Sequence, residues 1–299
     1  MRDLIGHTPL VKINYAFEQV EGVNLFAKLE YYNPSGSVKD RTGLYMVEDA
    51  IKDGRLKRGS TIVEATAGNT GLGVAFVALN QGFHVIFVVP EKFSEEKQIL
   101  MKALGADIIH TKREDGMLGA AAKAQELLSE IKDSISLQQF KNMSNPKAHY
   151  ETTGPEIYQD LDGKIDYLVA GAGSGGTYSG VVKFLKEQNR NIKGILADPV
   201  GSTMGGGEHA DYDIEGIGND FIADTMDMSL VDKVIKINDS QAFDGARALA
   251  RHEGILGGSS TGAAFSAALK LIYEHHVKGN IVFIAPDSGD RYFSKHLYV

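Results

Sequence analysis

Short β-branched runs alternate with longer amphipathic stretches along the chain from residue 60 onward. Apolar runs of about four to eight residues are typical of buried strands, and longer stretches with apolar residues at helical spacing are typical of helices. Their alternation predicts an α/β fold of mostly parallel sheets flanked by helices on both faces. Strands are expected at 61–64, 85–89, 106–110, 167–170, 192–197, 234–237 and 281–284, and helices at 40–50, 69–81, 95–104, 116–131, 176–188, 241–253 and 261–275.

The composition is that of an ordinary globular protein and excludes several functions. Of 299 residues, 43% are apolar and 23% are charged, with a net charge of −8. The scattered basic residues argue against a nucleic-acid or anionic-membrane partner, which needs clustered Lys and Arg. The absence of cysteine excludes disulfides, thiolate metal sites and a cysteine nucleophile. Neither a signal peptide nor an apolar run of roughly 18 residues is present, so a cytoplasmic location is expected.

Two segments interrupt the alternation. Residues 199–229 form a long loop of the kind that is usually functional or mobile. The segment QQFKNMSNPKAHY, residues 138–150, changes composition and is the best position for a crossing between two lobes. Acidic and histidine side chains crowd the long loop without the spacing of a metal site on a helix or strand, so a solvated loop and no bound metal are expected: Glu208, His209, Asp211 and Asp213.

Three glycine-rich turns share one pattern, in which a strand ends, small residues follow and a helix begins. They are EATAGNTG (64–71), AGAGSGGTYSG (170–180) and LGGSSTG (256–262). Glycines let backbone N–H groups converge, and the first turn of a helix adds unpaired N–H groups and a positive dipole end. Three such turns favour a ligand with several anionic or polar groups at the carboxyl ends of the strands.

The middle turn also matches the dinucleotide fingerprint G-x-G-x-x-G. Asp198 follows about 20 residues later, where a dinucleotide-binding fold contacts a ribose hydroxyl. An NAD-dependent dehydrogenase is therefore one alternative. It leaves the other two turns, and the lysine that follows NPSGSV at residue 39, without a role.

Pyridoxal phosphate gives each of these segments a role. The cofactor needs an anion-binding turn, polar partners for its phenolic oxygen and ring nitrogen, and an amine that forms a Schiff base. Asn69 can contact the phenolic oxygen, Ser259 the ring nitrogen, and Lys39 can supply the amine. The phosphate can be held by Gly173, Ser174, Gly175, Gly176 and Thr177.

The order of these motifs resembles the cysteine synthase and cystathionine β-synthase family of fold type II pyridoxal-phosphate enzymes. The matching segments, from residue 5 to residue 292, are IGHTPL, NPSGSVKDR, EATAGNTG, QQF, GAGSGGT, EGIG, GGSSTGAA and PDSGDRY. The resemblance implies a two-lobed fold similar to the tryptophan synthase β subunit, with a smaller mobile lobe at 36–140. Residues 1–35 with 141–299 would form the larger lobe, which holds the phosphate and ring nitrogen. A homodimer is implied as well.

The same resemblance implies the roles of the site residues. Lys39 would form the Schiff base and move the substrate α-proton. The substrate carboxylate would be bound by a loop that excludes water when it closes, formed by Thr66, Gly68, Asn69 and Thr70 together with Gln139. Phe140 and Tyr292 are possible pocket walls.

The implied reaction is β-replacement on O-acetylserine or serine. A neutral Ser259 would leave the ring nitrogen unprotonated, which favours loss of a β-leaving group, after which a sulfur nucleophile adds. Ala67 stands where many cysteine synthases have a serine, so one hydroxyl donor is missing from the carboxylate loop.

The segments around DPVGS, NPKAHY and IEGIG are closer to cystathionine β-synthases, especially the bacterial forms that use O-acetylserine. Glu215 and Gly216 are expected at the substrate, and the Glu215 carboxylate could select homocysteine through its ammonium group. Cysteine synthase using sulfide is the alternative, and a non-catalytic binding paralogue is another. Neither haem nor an adenosyl ligand is expected to control the protein.

Overall fold

The computed structural model describes residues 1–66, 68–91 and 95–299. Ala67, where the sequence lacks a hydroxyl donor, lies outside the described residues. The chain divides into two compact units, each with its own sheet. Unit 1 comprises Met1–Ile5 and Lys39–Asn145, and unit 2 comprises Gly6–Val38 and Pro146–Val299.

The regular elements are numbered in chain order. The strands are β1 (Leu10–Lys12), β2 (Val23–Leu29), β3 (Thr61–Ala65), β4 (His84–Pro90), β5 (Asp107–Thr111), β6 (Ser134–Ile135), β7 (Tyr167–Gly171), β8 (Lys193–Pro199), β9 (Lys233–Ile237) and β10 (Gly279–Ala285). The α-helices are α1 (Lys39–Lys52), α2 (Asn69–Ala78), α3 (Glu95–Ala103), α4 (Gly116–Glu130), α5 (Ser144–Ala148), α6 (Gly154–Asp160), α7 (Gly176–Gln188), α8 (Asp239–Glu253) and α9 (Ser259–Tyr273). A π-helix, His149–Thr153, joins α5 to α6.

Unit 1 is built on a parallel sheet with the strand order β5-β4-β3-β6. Successive side chains of a strand point to opposite faces, so β3 sends Ile62 and Val63 into different cores. Ile62 packs in a cluster that includes residues of α1, α2 and α3, whereas Val63 packs in one that includes residues of α4. Helices therefore cover both faces, which explains why β3 and β4 are apolar almost throughout.

Unit 2 is built on a sheet with the strand order β1-β2-β10-β7-β8-β9. Only the edge pair of β1 and β2 is antiparallel among the pairs of described strands. Residues of α8 and α9 pack in the cluster on one face, and residues of α6 and α7 pack in the cluster on the other. The glycine turn before α7 follows β7, as expected. The turn before α9 follows α8, so the expectation that a strand ends there was wrong.

The fold class expected from the alternation is confirmed, since mostly parallel sheets are flanked by helices in both units. Each strand and helix expected from residue 40 onward is present within two residues at either end, apart from a helix α2 that ends at Ala78 rather than 81. Helix α8 begins at Asp239 rather than 241 because Asn238 and Gln241 form a capping box. It ends where Gly254 adopts the left-handed conformation, with φ 69°.

Strands β1, β2 and β6 were not expected. In β2, a lysine interrupts the apolar pattern, yet Lys28 is fully buried. Its ammonium group donates to the Thr8 carbonyl at 2.7 Å and pairs with Glu156 at 3.0 Å and Asp160 at 3.3 Å. A buried cation needs partners of this kind, and they lie too far away in sequence to be inferred from the strand itself.

None of the helices in the described part of the chain is both long and apolar enough to cross a membrane. Within the described ranges, no group of three or more His, Asp or Glu side chains is arranged to hold a metal ion.

Candidate active site

Lys39 lies in unit 1 as the first residue of α1, and Asn69 is the first residue of α2. About one helical turn after these residues, the backbones of α1 and α2 come into contact. A Cβ atom on Gly43 would lie 2.7 Å from the carbonyl carbon of Gly73, and one on Gly73 would overlap the Lys39 carbonyl oxygen. The glycines at both positions therefore allow the first turns of α1 and α2 to touch, which fixes Lys39 relative to the loop that enters α2.

The loop between β3 and α2 carries the other expected residues of unit 1. Thr66 is buried, Gly68 precedes α2 without a side-chain cap, and Thr70 donates from its hydroxyl to the side-chain oxygen of Gln139 at 2.6 Å. This hydrogen bond joins the loop to the segment after β6. It also fixes the Gln139 amide so that its oxygen is an acceptor from Thr70.

Glu64, which the sequence reasoning did not single out, holds the segment that leads to Gln139. Its Oε1 accepts a hydrogen bond from the Ser136 hydroxyl at 2.9 Å and from the backbone N–H groups of Leu137 and Gln138. Burial raises the pKa of Glu64, while these donors act in the opposite direction. An acid at the end of an otherwise apolar strand was the one signal in the sequence.

In unit 2, the glycine turn after β7 is tied to the long loop through its carbonyl groups. The Ala172 carbonyl accepts from Gly218 N–H at 2.8 Å, that of Gly173 from the Asn219 amide at 2.5 Å, and that of Ser174 from the Thr225 hydroxyl at 2.5 Å. In a trans peptide the N–H points opposite to the C=O, so the N–H groups that follow these carbonyls point away from the loop.

These N–H groups add to those of the first turn of α7, which have no partner within the helix itself. Gly175 adopts the left-handed conformation with φ 81°, and no side chain caps the helix. A Cβ on Gly173 would lie 2.6 Å from the Gly216 carbonyl oxygen, so only glycine fits there. The turn with the helix can therefore bind an anion such as a phosphate group. Asn219 and Thr225, which orient the turn, were missed because they lie far away in sequence.

Ser259 is the first residue of α9 and is buried. Its Oγ accepts a hydrogen bond from Glu215 N–H at 3.0 Å, which leaves its proton to be donated to another acceptor. Gly258, which directly precedes Ser259, lies close to Tyr292: a Cβ on Gly258 would be 2.6 Å from the Tyr292 ring. Tyr292 is buried and donates from its hydroxyl to Asp287, and burial, together with this carboxylate, raises the pKa of Tyr292 well above its usual value.

Glu215 itself is about one-third exposed, and its Oε1 lies 3.7 Å from the Lys295 ammonium nitrogen. Asp213 lies at the same lysine, 4.0 Å away. The sequence did not indicate this cation, because Lys295 belongs to the short 3-10 helix Gly289–Lys295, some 80 residues away.

Asp198 does not have the surroundings that the NAD-dependent dehydrogenase reading requires. It is 1% exposed, forms an ion pair with Lys236, and accepts from Gly205 N–H at 3.0 Å. A buried carboxylate engaged in this way is not presented to a ribose hydroxyl. His209 in the same loop pairs with Asp220 at 2.9 Å at an exposed position.

The expected site residues thus fall into two groups, each described within its own unit. Unit 1 contains Lys39, Thr66, Gly68, Asn69, Thr70 and Gln139, with Phe140 partly exposed next to them in the chain. Unit 2 contains Gly173, Ser174, Gly175, Gly176, Thr177, Glu215, Gly216 and Ser259.

The chain is similar to known proteins over nearly its whole length. The family model described as "Pyridoxal-phosphate dependent enzyme" matches residues 1–287. The chain is 50% identical to O-acetylserine dependent cystathionine beta-synthase from Bacillus subtilis (strain 168), over 99% of this chain and 96% of that protein. It is 44% identical to cysteine synthase from Helicobacter pylori (strain J99 / ATCC 700824), over 100% and 98% of the two chains.

Its structure is similar to the crystal structure of O-acetylserine dependent cystathionine beta-synthase from Helicobacter pylori. The TM-score is 0.93 at 44% identity, and the match covers 100% of this chain and 98% of that one. The family and the cofactor that the ordered motifs predicted are thereby confirmed. The chain belongs to the family of pyridoxal-phosphate dependent enzymes.

Proposed function

We propose that the protein catalyses β-replacement on O-acetylserine, with homocysteine as the sulfur nucleophile and cystathionine as the product. The observation that carries the proposal is the buried Ser259 hydroxyl, which accepts a hydrogen bond from Glu215 N–H. A hydroxyl held in this way can donate to a neutral ring nitrogen and carries no charge that would keep that nitrogen protonated.

The residues described above fit pyridoxal phosphate. The turn Gly173–Gly176 with Thr177 offers converging N–H groups and a hydroxyl to the phosphate, Asn69 offers an amide to the phenolic oxygen, and Ser259 a hydroxyl to the ring nitrogen. When bound, the cofactor supplies an electrophilic aldehyde carbon and a conjugated ring that accepts electron density from the α-carbon of an amino acid.

The neutral partner of the ring nitrogen determines which reaction is favoured. A carboxylate there would keep the ring nitrogen protonated and stabilise negative charge at the α-carbon for longer. The Ser259 hydroxyl would leave the ring nitrogen neutral, and a neutral ring is a weaker electron sink, which would favour loss of a leaving group from the β-carbon. An acetate group is a good leaving group, in agreement with O-acetylserine as the donor substrate.

Unit 1 supplies the groups that handle the substrate. Lys39 would bind the cofactor aldehyde and move the proton at the α-carbon, and the crossing of α1 and α2 holds the first residue of α1 in place. The Thr70 hydroxyl donates its proton to the Gln139 oxygen, so the Gln139 NH2 group would bind the substrate carboxylate. Thr66 and the N–H groups at the start of α2, including that of Thr70, would complete this site. We include in the proposal that residues 36–140 form a mobile lobe whose closure excludes water.

Two observations bear on the nucleophile. The relative at 50% identity is an O-acetylserine dependent cystathionine beta-synthase, which supports homocysteine. Glu215 with Lys295 forms a pair of opposite charges that is complementary to the ammonium and carboxylate groups of an amino acid. Cysteine synthase with sulfide is the second candidate, because Lys295 offsets the carboxylate charge and relatives at 44% identity are cysteine synthases.

Lys39→Ala tests the proposed chemistry. The variant is expected to lose the visible absorption band of the bound cofactor and to lower kcat by about a thousandfold or more, because both the covalent link and the proton transfer depend on this amine. Lys52→Ala at the other end of α1 is the matched control and should retain both. Full activity in Lys39→Ala would refute the proposal.

Glu215→Gln tests the nucleophile. The value of kcat/KM for homocysteine should fall by about fivefold, the size expected for losing a partly exposed charge pair, while the value for sulfide stays unchanged. Asp213→Asn, which removes a more exposed charge near the same lysine, serves as the control. Equal losses with homocysteine and sulfide would contradict selection by Glu215.

We further propose that the protein acts in the cytoplasm as a homodimer, the assembly that the family resemblance implies. Light scattering coupled to gel filtration should give about twice the chain mass of 32.4 kDa. A mass of one chain at micromolar concentration would contradict the dimer.

A further inference from the structure

A fully buried histidine contacts the residue that is proposed to bind the phosphate. His149 is 0% exposed and is the first residue of the π-helix. Its Nε2 lies 3.2 Å from the Thr177 hydroxyl oxygen, and its Nδ1 lies 2.9 Å from the Thr153 hydroxyl oxygen. Two hydroxyl groups and one imidazole therefore form a continuous hydrogen-bonded chain that ends at Thr177.

The backbone is shaped to bring this histidine close to α7. A Cβ atom on Gly180 would lie 2.8 Å from His149 Cβ and would overlap the Pro146 carbonyl oxygen. Glycine at 180 thus lets the segment from 146 to 149 lie directly against α7, one turn after Thr177. His149 also begins the π-helix His149–Thr153, and π-helical turns are frequent at functional sites.

The direction of the hydrogen bonds follows from what the phosphate requires. A phosphate dianion only accepts hydrogen bonds, so the Thr177 hydroxyl must donate its proton to it. The Thr177 oxygen is then an acceptor for His149, which means that Nε2 carries the proton. In a neutral imidazole Nδ1 is then an acceptor, and the Thr153 hydroxyl donates to it.

We propose that His149 is a positioning residue for the cofactor phosphate: its Nε2–H holds the Thr177 hydroxyl in the orientation that donates to the phosphate. Thr153 supports this role by fixing the tautomer. The inference rests on the proposed role of Thr177, and it adds a residue outside the glycine turn to the phosphate site.

A double-mutant cycle separates positioning from packing. His149→Leu has a similar volume without hydrogen bonds, and Thr177→Val lacks the hydroxyl. The dissociation constant of pyridoxal phosphate is measured by titrating apoenzyme prepared from the wild type, both single variants and the double variant. His149→Leu should weaken binding about tenfold in the wild-type background, the size of one hydrogen bond to a charged system. In the Thr177→Val background, it should change binding less than twofold.

Two further measurements report on the hydrogen bonds themselves. The phosphorus-31 NMR signal of the bound cofactor should shift in His149→Leu and return toward the wild-type position in His149→Gln, whose amide N–H can replace Nε2–H. Nitrogen-15 NMR of histidine-labelled holoenzyme should show an Nε2–H tautomer that disappears in His149→Gln.

The outcomes distinguish this inference from the proposed function. Unchanged cofactor affinity in Thr177→Val would remove Thr177 from the phosphate site and refute that part of the proposed function. If Thr177→Val weakens binding but His149→Leu weakens it equally in both backgrounds, His149 only packs and the inference is overturned. Should His149→Leu fail to fold, Thr153→Val carries the same cycle: it is expected to weaken binding a few-fold, and an effect that persists with Thr177→Val overturns the inference.

Discussion

Tyr178 follows Thr177 in α7 and has no exposed surface. Its hydroxyl oxygen has no hydrogen-bond partner among the described residues, and a Cβ on Gly194 would lie 2.6 Å from it. Burial is the main cause that raises the pKa of Tyr178, and the nearby Asp232 carboxylate adds to it. A buried hydroxyl without a partner costs stability, so the ring of Tyr178 contributes through packing while its oxygen opposes folding.

Tyr178→Phe should therefore keep the packing and remove the cost. At pH 7, the free energy of unfolding is expected to be equal to that of the wild type or up to about 1 kcal/mol higher, measured by urea denaturation. A loss of about 2 kcal/mol would show that the hydroxyl makes a stabilising contact.

The raised pKa of Tyr178 also predicts how the stability of the wild-type protein changes with pH. The folded pKa is raised, so above pH 10, the usual tyrosine value, the unfolded state releases a proton that the folded state retains. Stability is consequently lost as the pH rises above 10, by up to about 1.4 kcal/mol per pH unit for this one group. Tyr178→Phe should show a shallower loss than the wild type between pH 10 and 11. Parallel curves would contradict the assignment.

Residues of the candidate site differ in how far the sequence predicts them. Lys39, Asn69, Ser259 and the glycines of the middle turn stand in segments with a local pattern, so they could be named from the sequence. Glu64, His149 and Asn219 act through contacts with partners 28 to 74 residues away. No local pattern records such a contact, and only the folded chain reveals it.

At the scale of elements, the crossing of α1 and α2 has the clearest consequence. Neither Gly43 nor Gly73 lies in a turn or has a left-handed backbone, so their role is close approach alone. The helices begin at Lys39 and Asn69, four residues before each glycine. Any separation of the two helices would therefore change the positions of both Lys39 and Asn69.

Gly73→Ala should separate the two helices by up to about an ångström, because the new Cβ overlaps the Lys39 carbonyl. We expect a loss of about 1 to 3 kcal/mol in stability from overpacking and a fall in kcat of tenfold or more from misplaced groups. Thermal unfolding and steady-state kinetics measure the two effects.

Val74→Ala is the control within α2, because it leaves a cavity in the core without pushing the helices apart. It should lower the melting temperature while kcat stays near that of the wild type. A Gly73→Ala variant with unchanged kcat would contradict the positioning role of the crossing.

Elements with a simple pattern were predicted well, and those with long-range partners were not. The apolar strands β4 and β8 and the amphipathic helices α7 and α8 agree with their sequence patterns. Strand β6 has only two residues, too few for a pattern, and β2 contains the buried Lys28, whose partners Thr8, Glu156 and Asp160 come from elsewhere in the chain.

At the scale of the whole molecule, the order of motifs from residue 5 to residue 292 was sufficient to identify the family and the cofactor. The division of the chain between two units is less visible in sequence, since Met1–Ile5 belong to unit 1 whereas Gly6–Val38 belong to unit 2. Short segments of this kind carry no compositional boundary, and their assignment depends on which sheet or core they join.

The pairing of β2 with β10 has a consequence for how the protein is made. Residues from Val23 to Leu29 lie in register with those from Gly279 to Ala285, which are far away in sequence. During translation, the strands of the sheet in unit 1, all between residues 61 and 135, emerge early and can pair while the ribosome is still at work. The edge of β2 that faces β10 stays unpaired until β10, which follows every other described strand in the chain, has been synthesised, and that interval exposes the nascent chain to mispairing.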